Sequence, residues 1–290
     1  MNGNFAYQDA LMSDRDFRRF SALIYEQSGI NLVQGKKTML TGRLRKRLRD
    51  LSMGSFGEYY DFVSSGKGHA AEMIRMLNEV STNKTEFFRE SKHFDMLKKV
   101  VLPDLVESGR WRPGRSLNVW SAGCSTGQEP YTIAMVLTEY AANNRTGEFS
   151  ILASDISTQV LETAEKGIYP VSTVAPVTPD LRRKYFMRGK KGQEGFCRIV
   201  PELRRRVQFR RINLNGGDDF ELRKQLDVIF CRNVIIYFDR DTQRKLFKKF
   251  YDQLAPGGYL FIGHSETLHG VSDRFKVVGG ATYVKPHMSE

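Results

Sequence analysis

The chain has 290 residues, of which 40% are hydrophobic and 27% are charged, as expected of a globular protein with room for two domains. No apolar run approaches the roughly 20 residues of a membrane-spanning helix, and the N-terminus lacks the basic and then apolar segments of a signal peptide. The cysteines Cys124, Cys197 and Cys231 lie far apart, without a CxxC pair. This argues against a structural zinc site or a disulfide framework and indicates a reducing, cytoplasmic environment.

The formal net charge of +12 is concentrated in two segments. Residues 36–49 contain seven Lys and Arg and no acid, and residues 182–211 contain twelve against two acids. The rest of the chain is therefore slightly acidic. Local basic patches of this kind indicate an acidic partner, such as a nucleic acid, an anionic lipid or an acidic protein surface.

Residues 1–80 are predicted to form a small all-helical N-terminal domain. From residue 14 onward, apolar residues recur at helical spacing and short breaks separate the segments, with no strand alternation. Within the first basic segment, Leu40, Leu44 and Leu48 lie on one face of a helix over residues 39–51, and the basic side chains lie on the other faces.

Residues 81–290 are predicted to form an α/β domain. Apolar strands alternate with helical segments, which predicts a Rossmann-like, mostly parallel sheet covered by helices on both faces. The chain then closes with an antiparallel hairpin around Gly279–Gly280. An excursion at about residues 187–212 breaks the alternation, and its strand-like pieces between glycines predict a small antiparallel β-subdomain with a basic surface.

The segment "STNKTEFFRES" (81–91) precedes the sheet. Phe87 and Phe88 are most simply explained as core residues. The polar residues of the segment either line a pocket above a ligand or cap the helix predicted at 92–106, in which Pro103 is expected to produce a bend or an end. These polar residues are Asn83, Thr85 and Arg89.

The stretch "WSAGCSTGQEPYT" (120–132) joins the first predicted strand to a helix. In an open α/β sheet a ligand binds beyond the carboxyl ends of the strands, usually at the first such corner. Gly123 and Gly127 let a ligand approach the backbone, but their G-x-x-x-G spacing matches neither a dinucleotide fingerprint nor a P-loop. Glu129 would repel a phosphate there and suits an ammonium group, unless it is only a favourable acid in the first helical turn.

Asp155 ends the second strand, where such folds hydrogen-bond a ribose diol, although an aspartate there also serves as a helix N-cap. A glycine corner, an acid for an amine and an acid for a ribose together describe S-adenosylmethionine (SAM), which has no phosphate. Arg232 and Asn233 end a later strand, at the edge where the reacting centre should lie. The residues after them lack the N-P-P-Y motif of many amino-group methyltransferases, which disfavours a nucleic-acid base as substrate.

Neither metal nor covalent chemistry is indicated by the residue pattern. The five histidines form no metal-spaced cluster, and we assign no role to His264 at its strand end. No Ser/His/Asp or Cys/His set has a suitable neighbourhood, and Cys124 is better explained as a small apolar filler than as a nucleophile. We therefore expect no metal cofactor.

Five motifs, in this order, closely resemble those of the chemotaxis receptor methyltransferases, the CheR family: "STNKTEFFRE", "SAGCSTGQEPYTIA", "INL", "FCRNVIIYFD" and "GHSE". The resemblance covers nearly the whole chain. It implies a SAM-dependent protein-glutamate O-methyltransferase that acts on the cytoplasmic helices of chemoreceptors and leaves glutamyl methyl esters and S-adenosylhomocysteine (SAH).

The resemblance also implies roles for individual residues. Glu129 corresponds to the acid that meets the methionine ammonium group, and Asp155 corresponds to the acid on the ribose. Arg89 and Tyr237 correspond to residues near the transferred methyl group and are the predicted catalytic residues. The other predicted cofactor contacts are Asn83, Thr85, Arg89, Asn213, Leu214, Arg232 and Asn233.

Two receptor contacts follow from the resemblance. Some family members bind a receptor's C-terminal peptide at the β-subdomain by strand addition, which the glycines of this excursion permit. The basic helix is either a solvated face or a docking face for acidic receptor helices. The predicted docking residues are Arg43, Arg45, Lys46 and Arg49.

We expect a monomer that neither binds nucleic acid nor inserts into a membrane. Two other functions stay open at this point. A SAM-dependent nucleic-acid methyltransferase is favoured by the high net charge, and a catalytically silent SAM-binding signalling protein is disfavoured by the intact pocket residues.

Overall fold

The computed structural model describes residues 11–65, 69–217, 220, 222 and 224–287. The described residues up to Val80 form helices joined by short loops, as predicted for a helical domain. Their apolar side chains, among them Phe20, Leu44 and Tyr59, form a core of their own. The helices are α1 (Asp14–Ser28), α2 (Lys37–Asp50), α3 (Phe56–Ser65) and α4 (His69–Val80).

A buried ionic group joins three of these helices. Arg47 on α2 donates two hydrogen bonds to the carboxylate of Glu72 on α4, at 2.8 and 2.9 Å. The hydroxyl of Tyr59 on α3 donates to the same carboxylate at 3.0 Å. The side chain of Glu72 is only 2% exposed, so its charge depends on these partners. Arg47 is therefore a structural residue within the basic segment.

The helix that leads to the sheet changes its winding before Pro103. It runs as α5 (Lys92–Met96), a π-helical turn (Leu97–Val101) and α6 (Leu102–Glu107). Pro103 lies in the first turn of α6, where a missing N–H is tolerated. The helix therefore continues through Pro103, and the irregularity expected there takes the form of a π turn.

The C-terminal domain is built on a seven-stranded sheet, as the strand–helix alternation predicts. Five neighbouring strands are parallel, and the last two are antiparallel and form the predicted closing hairpin. The elements are β1 (Leu117–Ala122), α7 (Gln128–Asn143), β2 (Phe149–Asp155), α8 (Thr158–Lys166), β3 (Ile168–Pro170), α9 (Pro179–Tyr185), β4 (Phe186–Arg188), β5 (Phe196–Ile199), α10 (Pro201–Arg204), β6 (Val207–Arg211), β7 (Leu226–Cys231), α11 (Arg240–Gln253), β8 (Leu254–Ile262), β9 (Lys276–Gly279) and β10 (Thr282–Val284). The strand order is β6-β2-β1-β7-β8-β10-β9.

A separate three-stranded antiparallel sheet, in the order β3-β5-β4, forms the β-subdomain. Its position differs from the expected range of 187–212. Strand β3 lies upstream of that range, and β6 at its end pairs with β2 in the main sheet. Because β6 is an edge strand with exposed basic side chains, its sequence resembles the basic subdomain rather than the hydrophobic interior strands.

Hydrogen bonds fix the helical domain over the carboxyl ends of the parallel strands. The Tyr25 hydroxyl donates to Asp239 at 2.6 Å, and the Asn213 amide donates to the carbonyl of Gln27 at 2.7 Å. The backbone N–H of Asn31 donates to the carbonyl of Tyr237 at 2.8 Å. The two domains therefore enclose a cavity at this edge of the sheet.

Candidate active site

The cavity between the domains has a volume of about 690 Å³. It is lined by every residue for which the sequence predicts a cofactor contact or a catalytic role. From the C-terminal domain and its leading loop these are Asn83, Thr85, Arg89, Glu129, Asp155, Asn213, Leu214, Arg232, Asn233 and Tyr237. Arg43 of α2 also lines the cavity. Residues that are distant in sequence therefore line one cavity.

The two glycines of the corner after β1 have different roles. Gly123 lines the cavity with φ at +84°, and a Cβ atom there would lie 2.4 Å from a side-chain carbon of Val234. Gly127 has φ at +94°, and its added Cβ would lie 2.8 Å from the Cβ of Ala164 on α8. Gly123 therefore leaves room at the cavity wall, whereas Gly127 is required by packing between helices.

Asp155 is a buried acid at the end of β2. Its two carboxylate oxygens accept hydrogen bonds from the backbone N–H groups of Ser125, at 2.9 Å, and Ser157, at 3.0 Å. Burial raises the pKa of Asp155, and these hydrogen bonds only partly oppose the increase. The N-cap of α8 is Ser157, so the alternative role of Asp155 as that cap is wrong. Each oxygen keeps a lone pair for a ligand hydroxyl.

Glu129 is held in the first turn of α7 by two neighbours. One oxygen accepts a hydrogen bond from the Ser121 hydroxyl at 2.7 Å, and the other lies 3.0 Å from Nη1 of Arg232. Its side chain is only 13% exposed. Glu129 is therefore part of a buried polar network that lines the cavity, and it is more than a solvated first-turn acid.

The loop over residues 81–91 forms one wall of the cavity. The carbonyl of Asn83 accepts a hydrogen bond from the Ser125 hydroxyl at 2.9 Å, and Nη1 of Arg89 donates to the carbonyl of Lys84 at 2.8 Å. Because Ser91 is the N-cap of α5, Asn83, Thr85 and Arg89 do not cap that helix. Phe87 is buried against aromatic rings, as predicted for a core residue.

Both domains of the chain match the sequences of known protein families. Residues 83–284 match the family described as CheR methyltransferase, SAM binding domain, and residues 15–81 match CheR methyltransferase, all-alpha domain. The chain belongs to the CheR methyltransferase family. Relatives of this CheR chain include the chemotaxis protein methyltransferases of Klebsiella aerogenes, 43% identical, and Escherichia coli, 41% identical. Both alignments span 272 residues and cover 94% of this chain, with 90% and 91% of the respective relatives.

The cavity is lined by residues of both matched regions, the SAM binding domain and the all-alpha domain. The chain is thus a SAM-dependent methyltransferase with the predicted α/β architecture. Within the described ranges, every helix is too short or too polar to cross a membrane. Cys124, Cys197 and Cys231 are free and buried.

The predicted docking residues of α2 lie in different environments. Arg43 donates to the Ser81 carbonyl at 3.2 Å and to the Thr82 hydroxyl at 3.0 Å, which places it in the cavity wall. Arg45 is half-buried. Lys46 forms an ion pair with Glu79 at 2.5 Å, and the side chain of Arg49 is 68% exposed. The solvent-facing part of this set is therefore formed mainly by Lys46 and Arg49.

A polar cluster that the sequence does not predict lies beside the cavity. Glu90, His93 and His264 offer ligand atoms that lie within 4.8 Å of one another. His93 is 1% exposed, and burial lowers its pKa to about 4, with the charge of Arg232 as the second cause. The spacing E-x-x-H at 90–93 hints at a pair, but no sequence signal brings His264 to it.

The sequence shows no metal-spaced histidine cluster, but the fold brings His93 and His264 together, with ring centres 4.3 Å apart. Arg232 lies 3.0 Å from an oxygen of Glu90, and its positive charge opposes the binding of a divalent cation at the same carboxylate. Glu90 instead serves Arg232, Asn233 and the backbone of His264 as a hydrogen-bond acceptor. We therefore interpret Glu90 as an acceptor that holds Arg232, rather than as a ligand of a divalent cation.

Proposed function

We propose that this chain transfers the methyl group of SAM to glutamate side chains in the cytoplasmic domains of chemoreceptors. The observation that carries the proposal is a cavity in a CheR SAM binding domain that is lined by two carboxylates. Glu129 lies in the first turn of α7, and Asp155 ends β2. The relatives named chemotaxis protein methyltransferase align over almost the whole chain. The products are a glutamyl methyl ester and SAH.

The cavity contains a suitable partner for each part of the cofactor. We assign the ammonium group to Glu129 and the ribose hydroxyls to Asp155, which keeps lone pairs for them. Asn213 and Leu214 follow β6 and are assigned to the adenine. We assign contacts with the methionine part of the cofactor to the wall formed by Asn83, Thr85, Arg89, Arg232 and Asn233.

The reaction is an in-line displacement at carbon. A glutamate oxygen forms a bond to the methyl carbon while the carbon–sulfur bond breaks, and its electron pair stays on sulfur. A glutamate with a pKa of about 4.3 is already ionised at neutral pH, so no strong general base is required. Holding the two groups in line is the main task of the protein and is worth roughly 7–11 kcal/mol.

The substrate carboxylate loses negative charge in the transition state, which limits how tightly a cation should hold it. Arg89 is already bonded to the carbonyl of Lys84, and we propose that it orients the carboxylate without pairing closely with it. Tyr237 lies in a turn after β7 and lines the cavity, and we propose that its hydroxyl donates a hydrogen bond to the reacting group.

The cavity mouth suits an acidic protein helix. Lys36, Arg43 and Lys84 line the cavity, and Lys46 and Arg49 lie on the same helix as Arg43. Positive charge at this edge attracts a receptor helix that carries several glutamates. The free cysteines fit a reducing compartment, and we assign the reaction to the cytoplasm.

A second receptor contact is proposed at the β-subdomain. Strands β3 and β4 are the outer strands of its sheet, and outer strands pair readily with an added peptide. Ile168, Met187 and Phe196 are each more than two-fifths exposed, so they offer apolar contacts beside that edge. The occupant we propose is the C-terminal peptide of a receptor.

Methylation with labelled SAM tests the proposal. We expect label in receptor cytoplasmic fragments, released as methanol by mild base because the product is an ester, and peptide mass mapping should place it on glutamates. RNA and DNA should remain unlabelled under the same conditions. Label in nucleic acid would support the methyltransferase of the other substrate class, and cofactor binding without any transfer would support a silent SAM-binding protein.

A further inference from the structure

Glu90 connects the loop over 81–91 with the ends of β7 and β8. One carboxylate oxygen accepts a hydrogen bond from the Asn233 amide at 3.1 Å. The other accepts from Nη2 of Arg232 at 3.0 Å and from the backbone N–H of His264 at 3.2 Å. Burial opposes ionisation, but the bonds from Asn233 and Arg232 outweigh it and lower the pKa of Glu90. Glu90 is therefore a carboxylate at neutral pH.

Arg232 is a buried cation that two acids share. Its side chain is 2% exposed, with Nη1 3.0 Å from Glu129 and Nη2 3.0 Å from Glu90. The guanidinium also lies 5.5 Å from the centre of the Phe94 ring. If Glu129 were its only acidic partner, the pair would be neutral and would have little attraction for another cation. With Glu90, the three groups carry a net charge of −1.

We infer that Glu90 is a positioning residue that holds Arg232 and so keeps Glu129 available for the ammonium group of the cofactor. This role rests on the proposed function, which assigns the ammonium to Glu129. An arriving ammonium competes with Arg232 for the same carboxylate oxygen. Glu90 remains as a partner for the guanidinium, so the exchange leaves no buried charge unpaired.

The Glu90→Gln variant tests this role because it keeps the shape of the side chain and removes its charge. Two ligands are compared by titration calorimetry: SAH carries the ammonium group, and 5′-methylthioadenosine has the same nucleoside thioether without the amino acid. We expect SAH binding to weaken about tenfold, equivalent to one pKa unit of charge interaction. Binding of 5′-methylthioadenosine should keep its original affinity, which also shows that the variant is folded.

Two further variants sharpen the comparison. Asp95→Asn removes an exposed acid from the neighbouring helix, and we expect both affinities to be unchanged. Glu90→Asp keeps the charge and should retain more SAH affinity than Glu90→Gln. An equal loss for both ligands, or no loss for either, would overturn the role of Glu90. If the parent chain bound neither ligand, the proposed function itself would be overturned, before any variant is compared.

Discussion

Tyr237 and Arg89 reach the cavity from different elements, and substitution of either is expected to lower turnover. A hydrogen bond made mainly in the transition state is worth about 1.4 kcal/mol, so Tyr237→Phe should lower kcat about tenfold. Arg89→Ala should lower kcat as well, because the loop loses its bond to the Lys84 carbonyl. Initial rates of receptor methylation measure both effects, and unchanged rates in both variants would remove the catalytic assignment.

The pH dependence of cofactor binding is expected to depend on Asp155. Burial raises the pKa of Asp155, so this carboxylate takes up a proton at a pH at which an ordinary aspartate, with a pKa of about 3.9, is still charged. A protonated carboxyl is a weaker acceptor for ribose hydroxyls. SAH affinity should therefore fall as the pH is lowered through the raised pKa, as measured by titration calorimetry.

The Asp155→Asn variant supplies the control for this effect. Its affinity for SAH should be lower at neutral pH, and the part of the pH dependence that Asp155 causes should disappear. An unaltered pH profile in the variant would assign the titration to a group other than Asp155.

Among the helices, the buried group of Arg47, Glu72 and Tyr59 is expected to control the stability of the N-terminal domain. Arg47→Met removes the cation and leaves Glu72 buried without its main partner, which should destabilise the fold by about 3–5 kcal/mol. Urea unfolding measures the change. Arg49→Met is the matched control, since its side chain is 68% exposed and the expected change is within about 0.5 kcal/mol.

Helices and interior strands could be predicted from the sequence because each carries enough residues to show a period. Short and edge elements could not. Strand β3 has three residues, and β6 at the sheet edge is basic, so neither shows the apolar run of an interior strand. The winding change before Pro103 was also only partly predictable, because a π turn and a bend have the same sequence signal.

The cavity residues could be predicted as a set because the ends of parallel strands meet at one edge of a sheet, and because the family motifs mark them. The contacts among them could not. Glu129 and Arg232 are 103 residues apart, and Glu90 and Arg232 are 142 apart. Only the folded chain shows that Arg232 pairs with both acids. The same is true of the position of Arg43 in the cavity wall.

Across the whole molecule, the net charge of +12 and the enclosed cavity should give the two binding events different salt sensitivities. The proposed receptor contact is made by exposed cations, which salt screens over about 8–10 Å at physiological ionic strength. The proposed cofactor contacts Glu129 and Asp155 are largely buried, and salt screens buried charges much less. Raising the salt concentration should therefore increase KM for the receptor while the Kd of SAH stays nearly constant.

Charge reversal on α2 tests whether this helix causes the salt dependence of KM for the receptor. Replacing Arg45, Lys46 and Arg49 together by Glu should raise KM for the receptor and reduce its salt dependence, with SAH affinity unchanged. Lys248→Glu on α11 makes the same kind of change at a side chain that is 73% exposed and far along the chain from α2. If Lys248→Glu raised KM as much per charge as the α2 variant, the attraction would belong to the overall charge of the protein rather than to this helix.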